Sequence, residues 1–365
     1  MATGQLTAFE LREEDLPDLA RGCAVLGTGG GGSVGTGLLA ARRAIRECGP
    51  VPVRPLGAFA DEETVAPLSG IGAPTVGHEM IASEHEALAL QAAVEELLGR
   101  KIAAVMSSEI GGSNGVAPVA WAARMGVPLV DADGMGRAFP EVQMVSLYVA
   151  GVPYNYIVMS DVVGNVSVLR PLDGLWAERQ ARALAVASGS HSLMADYIIT
   201  AAQARGAVIE GSVSHALSIG RAMRLSTDPV EALQQELGAH KLIEGKIVDI
   251  ERRTGGGFVR GSVIVDGVGG HRGELLRIEV QNENLIALRD GVVLASVPDL
   301  ITVVDTATGV AISTETLRYG QRATVLAWPC DPLWRTPRGL EVAGPRAFGY
   351  DIDYRPIEEL RSATV

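Results

Sequence analysis

Acidic and small polar residues follow two apolar segments of the chain. The segment 103–106 predicts a buried strand, after which come Glu109 and the glycine-rich turn 111–115. Asp131 and Asp133 end the next apolar segment. Carboxyl groups in such positions could act as general acids or bases, or they could bind a divalent metal ion.

The elements that must position these groups form a strand, a helix and a second strand. We predict the helix from about Val116 to Met125, since Pro118 is tolerated in a first helical turn and Gly126 favours a helix end. A unit of this length predicts two parallel strands whose carboxyl ends share one edge of a sheet. Ligands of open α/β sheets usually bind at that edge.

This edge is therefore the first half of a candidate site. The carboxyl groups assigned to catalysis are Glu109, Asp131 and Asp133. The residues assigned to substrate binding are Gly112, Ser113, Asn114 and Arg137. A purely structural interpretation stays open, in which Asp133 starts a turn, Ser113 or Asn114 caps the helix, and Asp131 pairs with Arg137.

A second group of reactive side chains lies in the segment 328–335, which two prolines stiffen. Cys330 is a candidate catalytic nucleophile, because a nearby cation such as Arg335 would favour its thiolate. The alternative is that Cys330 is a small buried residue. Asp331 is assigned to substrate binding.

The glycine run 27–33 precedes a predicted helix and could form a backbone nest for a substrate carbonyl or carboxylate. It has neither the Walker pattern nor the preceding strand of a dinucleotide site, so no nucleotide cofactor is expected. A metal-dependent alternative places one divalent ion between His78, Glu109, Asp131 and Asp133.

Composition limits the classes of partner. The net charge of −12 and the pI near 5.1 argue against nucleic acid and anionic membranes. Three widely spaced cysteines, and an N-terminus without a signal-peptide pattern, predict a cytoplasmic protein. Because 47% of the residues are hydrophobic and only 20% are charged, we expect a homo-oligomer.

The order of predicted elements indicates two domains. Residues 1–168 are expected to form an α/β domain with a mostly parallel sheet. Residues 169–365 are expected to form an α+β domain, in which a helical segment precedes a β-rich part with antiparallel strands. Within it, 175–203 is predicted as a helical stretch that loosens or turns at 188–192, and Asp290-Gly291 predicts a hairpin.

Two of these motifs, with their neighbouring residues, resemble the S-methyl-thiohydantoin desulfurase family, long a domain of unknown function found beside hydantoinase and oxoprolinase proteins. The similarity covers 131–137 with Pro140-Glu141, and 329–332 with 344–351. The glycine run 27–33 and the turn 109–114 also look like the N-terminal domain of that family, so the resemblance spans nearly the whole chain.

The resemblance implies hydrolysis of an S-methylated thiohydantoin ring to hydantoin and methanethiol. The nucleophile would be Cys330 or an activated water, and the two groups of residues would have to meet across a cleft. The alternative is a non-catalytic binding or regulatory subunit of a hydantoinase-type or oxoprolinase-type partner. Substrate identity and metal requirement are not fixed by the sequence.

Overall fold

A computed structural model provides the structure of the chain and describes residues 7–72, 83, 85–255 and 258–362. Two β-sheets dominate these residues. The strands of the first sheet are β1 (Phe9–Leu11), β2 (Val51–Arg54), β3 (Thr64–Gly72), β4 (Ile102–Ser107), β5 (Leu129–Asp133), β6 (Ile157–Ser160), β7 (Val166–Leu169), β8 (His191–Ala195), β9 (Ile199–Thr200) and β10 (Ile209–Glu210).

The first sheet is mixed and has a parallel centre. Its strand order is β1-β2-β5-β4-β3-β8-β6-β7, while β10 pairs with β5 and β9 pairs with β3. The neighbours β2, β5, β4 and β3 run parallel. Antiparallel strands extend both sides of this centre. The predicted α/β fold of the N-terminal part is confirmed.

Helices cover the first sheet and connect its strands. They are α1 (Leu16–Leu26), α2 (Val34–Cys48), α3 (Glu86–Leu98), α4 (Ser113–Met125), α5 (Ser146–Val149), α6 (Gly174–Ala187), α7 (Ala201–Ala204), α8 (Ser212–Leu225) and α9 (Pro229–Leu237). None of the helices in the described part of the chain has the length and apolarity needed to cross a bilayer.

The second sheet is antiparallel, with the order β15-β14-β13-β12-β11-β17-β16. Its strands are β11 (His240–Gly255), β12 (Phe258–Gly267), β13 (Leu275–Gln281), β14 (Glu283–Arg289), β15 (Val292–Ser296), β16 (Leu300–Asp305) and β17 (Arg322–Trp328). The sheet curls, and the Asn284 side chain of β14 donates a hydrogen bond to the Ile301 carbonyl of β16 at 3.1 Å. Helices α10 (Pro337–Ala343) and α11 (Ile357–Ser362) follow it. The expected antiparallel C-terminal fold is confirmed.

The strand-helix-strand unit that the sequence predicts is present. β4 and β5 pair in parallel, and α4 connects them. The helix begins at Ser113 rather than Val116, so Pro118 lies inside it. A proline there leaves the carbonyl of Asn114 without its helical amide partner. The Ser107 hydroxyl lies 2.8 Å from that carbonyl and 2.5 Å from the Glu109 carbonyl, so the two carbonyls share its one proton.

The predicted helical stretch 175–203 is only partly helical. Helix α6 ends at Ala187, and residues 191–195 form β8, which pairs antiparallel with β3. Residues 188–190 therefore connect a helix to a strand. The alanine-rich and apolar composition concealed the change, because a short buried strand lacks the periodicity that would distinguish it from a helix. Strands β8, β9 and β10 all join the first sheet before the chain enters the second.

Helices α1 and α8 cross with direct backbone contact. A Cβ atom on Gly22 of α1 would lie 1.8 Å from the Ala216 carbonyl oxygen of α8. Conversely, a Cβ on Gly220 of α8 would lie 1.9 Å from the Asp18 carbonyl oxygen of α1. Since the glycine run follows α1 directly, this crossing fixes the point from which that loop starts.

We predict that Gly22→Ala destabilises the protein by about 1–3 kcal/mol, because α1 and α8 must move apart to admit the methyl group. Gly57→Ala is the matched control, since a Cβ there meets no heavy atom within 4 Å. Urea unfolding of the two variants and the wild type measures the effect. Equal stability of Gly22→Ala and Gly57→Ala would contradict the close crossing.

Candidate active site

A cavity of about 290 Å³ lies where the carboxyl ends of β3 and β4 face the second sheet. The first sheet and its connections contribute the glycine loop 29–33, the end of β3, residues 108–109, the start of α4, and β8. The second half of the chain contributes residues 258–259, 282–283 and 314–315. Ligand pockets usually start at about 300 Å³, so this cavity suits a small molecule such as a single ring.

Glu109 is the predicted catalytic residue that the structure brings to the cavity. Its side chain accepts hydrogen bonds from the Asn114 amide group and from the Phe139 backbone amide. Burial raises the pKa of Glu109 to about 8, although these two hydrogen bonds lower it. The nearby charges of Asp133 and Asp196 add to the increase. Glu109 can therefore hold a proton at neutral pH and donate it.

Ser113 and Asn114 also line the cavity, as predicted for substrate-binding residues. The Asn114 side chain accepts a hydrogen bond from the Gly70 amide at 2.8 Å, which ties α4 to the end of β3. The Gly112 amide, which we expected to hold a substrate carbonyl, instead donates to the Cys23 carbonyl at 2.7 Å. Gly112 does not line the cavity.

The glycine loop 27–33 forms one wall of the cavity. The carbonyls of Gly31 and Gly32 accept from the Ser113 amide, which joins the loop to the start of α4. Gly29, Gly31 and Gly32 have positive φ angles of 96°, 73° and 77°, a conformation that glycine adopts most readily. Among the described residues, the Gly31 and Gly32 amides donate no hydrogen bond. The loop thus provides amides at the start of α2, as a nest would.

Asp196, which the sequence analysis missed, is a second buried carboxyl group at the cavity. It accepts a hydrogen bond from the Ser108 hydroxyl at 2.7 Å. Burial raises the pKa of Asp196 to about 6, against the hydrogen bond from Ser108. A usable signal was present in the sequence, since Asp196 comes directly after the apolar residues 193–195, much as Asp131 and Asp133 end an apolar segment.

His191 and Glu283 are two further cavity residues that the sequence analysis left without a role. Burial lowers the pKa of His191, which favours the neutral imidazole. Glu283, at the start of β14, is 2% exposed. Together with Asn284 and Thr314, it joins the second half of the chain to the glycine loop.

Asp131 lies outside the cavity lining and holds a helix start. Its two carboxylate oxygens accept from the Ser214 backbone amide at 3.0 Å and from the Ser214 hydroxyl at 2.5 Å. Its backbone carbonyl accepts from the Gly211 amide. The contacts therefore anchor the first turn of α8 against β5.

Asp133 is fully buried and also lies outside the cavity lining. One carboxylate oxygen accepts three backbone amides, from Ile110, Met135 and Gly136, at 2.7–2.9 Å. Burial raises the pKa of Asp133 to about 7 against these three amides. Asp133 thus holds together the turns that follow β4 and β5. This agrees with the structural interpretation, in which Asp133 starts a turn.

Arg137 connects the two halves of the chain and does not line the cavity. Its guanidinium donates to the carbonyls of Pro298 and Asp299 at 2.7 and 3.1 Å, and to the Thr28 hydroxyl at 3.0 Å. The expected pairing with Asp131 is absent among these contacts. Burial lowers the pKa of Arg137 to about 10.

Cys330 and Asp331 are placed away from the cavity lining. The Cys330 amide donates to Asp299. Burial and the neighbouring Asp299 raise the pKa of the thiol by more than Arg335, as expected, lowers it, so the thiolate is disfavoured. Arg335, the expected activating cation, forms ion pairs with Asp299 and Glu358. Asp331 caps a short 3₁₀ helix by accepting from the Leu333 amide. Trp334 of the same segment donates to the Met135 carbonyl at 2.8 Å and packs against Phe139. The segment 328–335 therefore contacts residues 135–139, although Cys330 itself does not line the cavity.

The metal alternative needs carboxylate oxygens that are open to an ion. Ser214 engages both oxygens of Asp131, and three amides engage one oxygen of Asp133. His78 lies outside the described residues. Within the part of the chain that the structure describes, no group of three or more His, Cys, Asp or Glu residues is arranged to hold a metal ion. A metal requirement stays a prediction.

Comparisons with known proteins match two family models to consecutive parts of the chain. A family model described as the S-Me-THD-like N-terminal domain matches residues 14–171. One described as the S-Me-THD-like C-terminal domain matches residues 172–357. A crystal structure of a protein from Chromobacterium violaceum is similar, with a TM-score of 0.79 and 25% identity over 96% of this chain and 100% of that chain. No curated protein gives a significant match.

The pKa of Glu109 predicts a pH-dependent stability. An unfolded glutamate has a pKa near 4.5 and the buried one near 8, so the native state binds the extra proton between these values. The contribution of Glu109 to stability is therefore complete below pH 4.5 and is lost as pH rises to about 8.

We expect the free energy of unfolding of Glu109→Gln, relative to wild type, to rise through this pH range by at most about 1.4 kcal/mol per pH unit. Urea unfolding between about pH 5 and 9 measures it. Glu279→Gln is the control, because Glu279 is partly exposed, pairs with Arg277 on the second sheet and does not line the cavity. A difference for Glu109→Gln that does not change with pH would contradict the raised pKa.

Proposed function

The chain belongs to the S-Me-THD-like family, and we propose that it is a hydrolase that converts an S-methyl-thiohydantoin into hydantoin and methanethiol. One observation carries the proposal. Glu109 and Asp196 are two buried carboxyl groups on one small cavity, with pKa values of about 8 and 6. Two carboxyl groups whose environments separate their pKa values are a recurrent arrangement for one acid and one base.

The two groups divide the proton transfers of the reaction. At neutral pH Asp196 is largely ionised and accepts a proton from a water molecule, while Glu109 is largely protonated. The water oxygen attacks the ring carbon that carries the S-methyl group, and a new carbon–oxygen bond forms. The carbon–sulfur bond then breaks, and Glu109 donates its proton to the departing sulfur as methanethiol leaves. The remaining hydroxyl proton moves to the ring nitrogen, which gives the hydantoin carbonyl and N–H.

Backbone amides would hold the charge that develops on the ring during attack. Gly31 and Gly32 line the cavity at the start of α2, and their amides donate no hydrogen bond to a described residue. Donors that are fixed before the reaction stabilise charge in the transition state without reorganisation. Asn114 acts indirectly, because its side-chain amide donates to the carboxyl group of Glu109 and orients it.

Cys330 has no part in this scheme. It does not line the cavity, and burial raises the pKa of its thiol. An activated water therefore replaces the thiol as nucleophile, and the sulfur that appears in the product comes from the substrate alone.

Release of methanethiol from S-methyl-thiohydantoin, followed with a thiol reagent and by chromatography of hydantoin, tests the proposal. We expect Glu109→Gln to lower kcat about 10²- to 10⁴-fold, as loss of a general acid does. Cys330→Ala should keep kcat within a few-fold of wild type, and Glu279→Gln is again the control. Thermal unfolding confirms that each variant is folded.

Two results would contradict this assignment. A Cys330→Ala variant as inactive as Glu109→Gln would return the thiol to the mechanism. If the wild-type chain releases no methanethiol and co-purifies with a hydantoinase-type partner, the non-catalytic subunit is favoured instead.

A further inference from the structure

The imidazole of His191 lies above two glycines of β3. In the antiparallel pairing of β3 with β8, His191 is opposite Gly72 and Leu193 is opposite Gly70. Residues opposite each other, and those two positions further along a strand, share one face of a sheet. His191, Gly70 and Gly72 therefore occupy the same face, and the two glycines leave room for the ring.

The imidazole contacts the cavity beside Asn114. A Cβ on Gly70 would lie 3.1 Å from the Nε2 atom of His191 and 3.5 Å from the Oδ1 atom of Asn114. Gly70, Asn114 and His191 all line the cavity. Because the Asn114 side chain also donates to Glu109, the imidazole lies next to the residue that orients the proposed general acid.

The ring nitrogens of His191 have no partner within the described ranges of the chain, either as a hydrogen bond or as an ion pair. The residue is half-buried, and its nitrogens are not among the unpartnered atoms that the described residues enclose completely. The side chains of Asn114 and Asp196, by contrast, form hydrogen bonds with Gly70 and Ser108. His191 thus offers hydrogen-bonding capacity to a molecule in the cavity.

An imidazole can donate at this position in either charge state. One ring nitrogen donates in the neutral form, and both donate in the protonated form. A hydrogen bond to one nitrogen usually decides which nitrogen of the neutral ring carries the proton. No described residue forms such a bond with His191, so the nitrogen that faces a ligand can carry it.

A donor is what the proposed reaction still requires from the side chains of the cavity. Glu109 and Asp196 are engaged in the proton transfers, and the amides of the glycine loop hold the charge that develops on the ring. The substrate also has a ring carbonyl that the reaction leaves unchanged. Its oxygen accepts hydrogen bonds only, so it needs a separate N–H or O–H group.

We propose that His191 is a substrate-binding residue whose ring N–H donates a hydrogen bond to this unchanged carbonyl oxygen. The identity of the ring rests on the proposed function, whereas the contact with a carbonyl oxygen rests on the placement of His191. The contact orients the ring before water attacks, and correct orientation is itself a source of rate enhancement. His191 therefore selects cyclic substrates that carry this carbonyl.

Calorimetry with hydantoin and with 2-imidazolidinone tests the contact, because 2-imidazolidinone lacks only the carbonyl that the reaction leaves unchanged. We expect wild type to bind hydantoin about three- to tenfold more tightly, as one hydrogen bond is at stake. His191→Phe should bring the two affinities within about twofold. His191→Gln should keep the preference, because its amide nitrogen is as many bonds from the backbone as Nε2 and also donates.

His271→Phe is the matched control, since the His271 imidazole pairs with Glu274 at 3.0 Å and does not line the cavity. It should leave the preference for hydantoin unchanged. His191→Leu repeats the apolar replacement with a smaller side chain, so that a folding defect of one variant does not decide the result. Thermal unfolding shows which variants are folded.

The outcomes separate this inference from the proposed reaction. Wild type that binds neither compound, or binds both equally, overturns the contact. Folded His191→Phe or His191→Leu that keeps the preference overturns it as well, even if methanethiol is released. Folded His191→Gln that loses the preference as fully as His191→Phe overturns the N–H donor. A preference that depends on His191, without release of methanethiol, supports the contact and removes the proposed reaction alone.

Discussion

The close approach of the glycine loop to two other segments is the constraint on which the site depends. Gly31 of the loop after α1 packs against Gly111 and Gly112 before α4, where a Cβ on Gly31 would lie 2.3 Å from the Gly111 carbonyl oxygen. On the other side of the same loop, Gly30 packs against the carboxyl group of Glu283. Side chains at these positions would separate the loop, α4 and the second sheet. The glycines therefore decide whether a cavity between the two halves of the chain can exist.

This constraint explains why the acids in the cavity can differ from ordinary surface acids. Glu109, Asp196 and Glu283 all line this cavity, and burial is the largest cause of each raised pKa. Arg137 connects the loop to residues 298–299 without forming an ion pair with Glu109. The chemistry proposed for the site thus depends on the burial of these groups, because burial disfavours the charged form of a carboxyl group.

The sequence predicted what is local along the chain. The unit β4-α4-β5, the hairpin at Asp290-Gly291 and the nest-like glycine loop each depend on neighbouring residues, and the structure contains them. The structure also brings Glu109, Ser113 and Asn114 to a cavity at the expected sheet edge. Asp131 and Asp133 lie on the same strand, yet β10 and α8 cover the end of β5. Nothing within residues 103–141 could reveal that cover, since it comes from residues 209–225.

The residues that the sequence analysis missed share a physical cause. Glu283 reaches its partner Gly30 across about 250 positions of the chain, and such a distant contact leaves no periodic pattern. Asp196 lies in a stretch predicted to be helical, and the short strand β8 became recognisable only through its pairing with β3. Cys330 attracted a catalytic interpretation because of its chemistry. Its position was decided instead by Asp299 and by the surrounding apolar core.

The central claim is that Glu109 carries a proton at neutral pH inside the cavity. Infrared difference spectroscopy of wild type against Glu109→Gln, titrated from about pH 5 to 10, measures it most directly, because protonated and ionised carboxyl groups absorb separately. The account predicts that the Glu109 signal is that of the protonated acid at pH 7 and converts to the carboxylate near pH 8. A carboxylate signal already complete at pH 6 would contradict it.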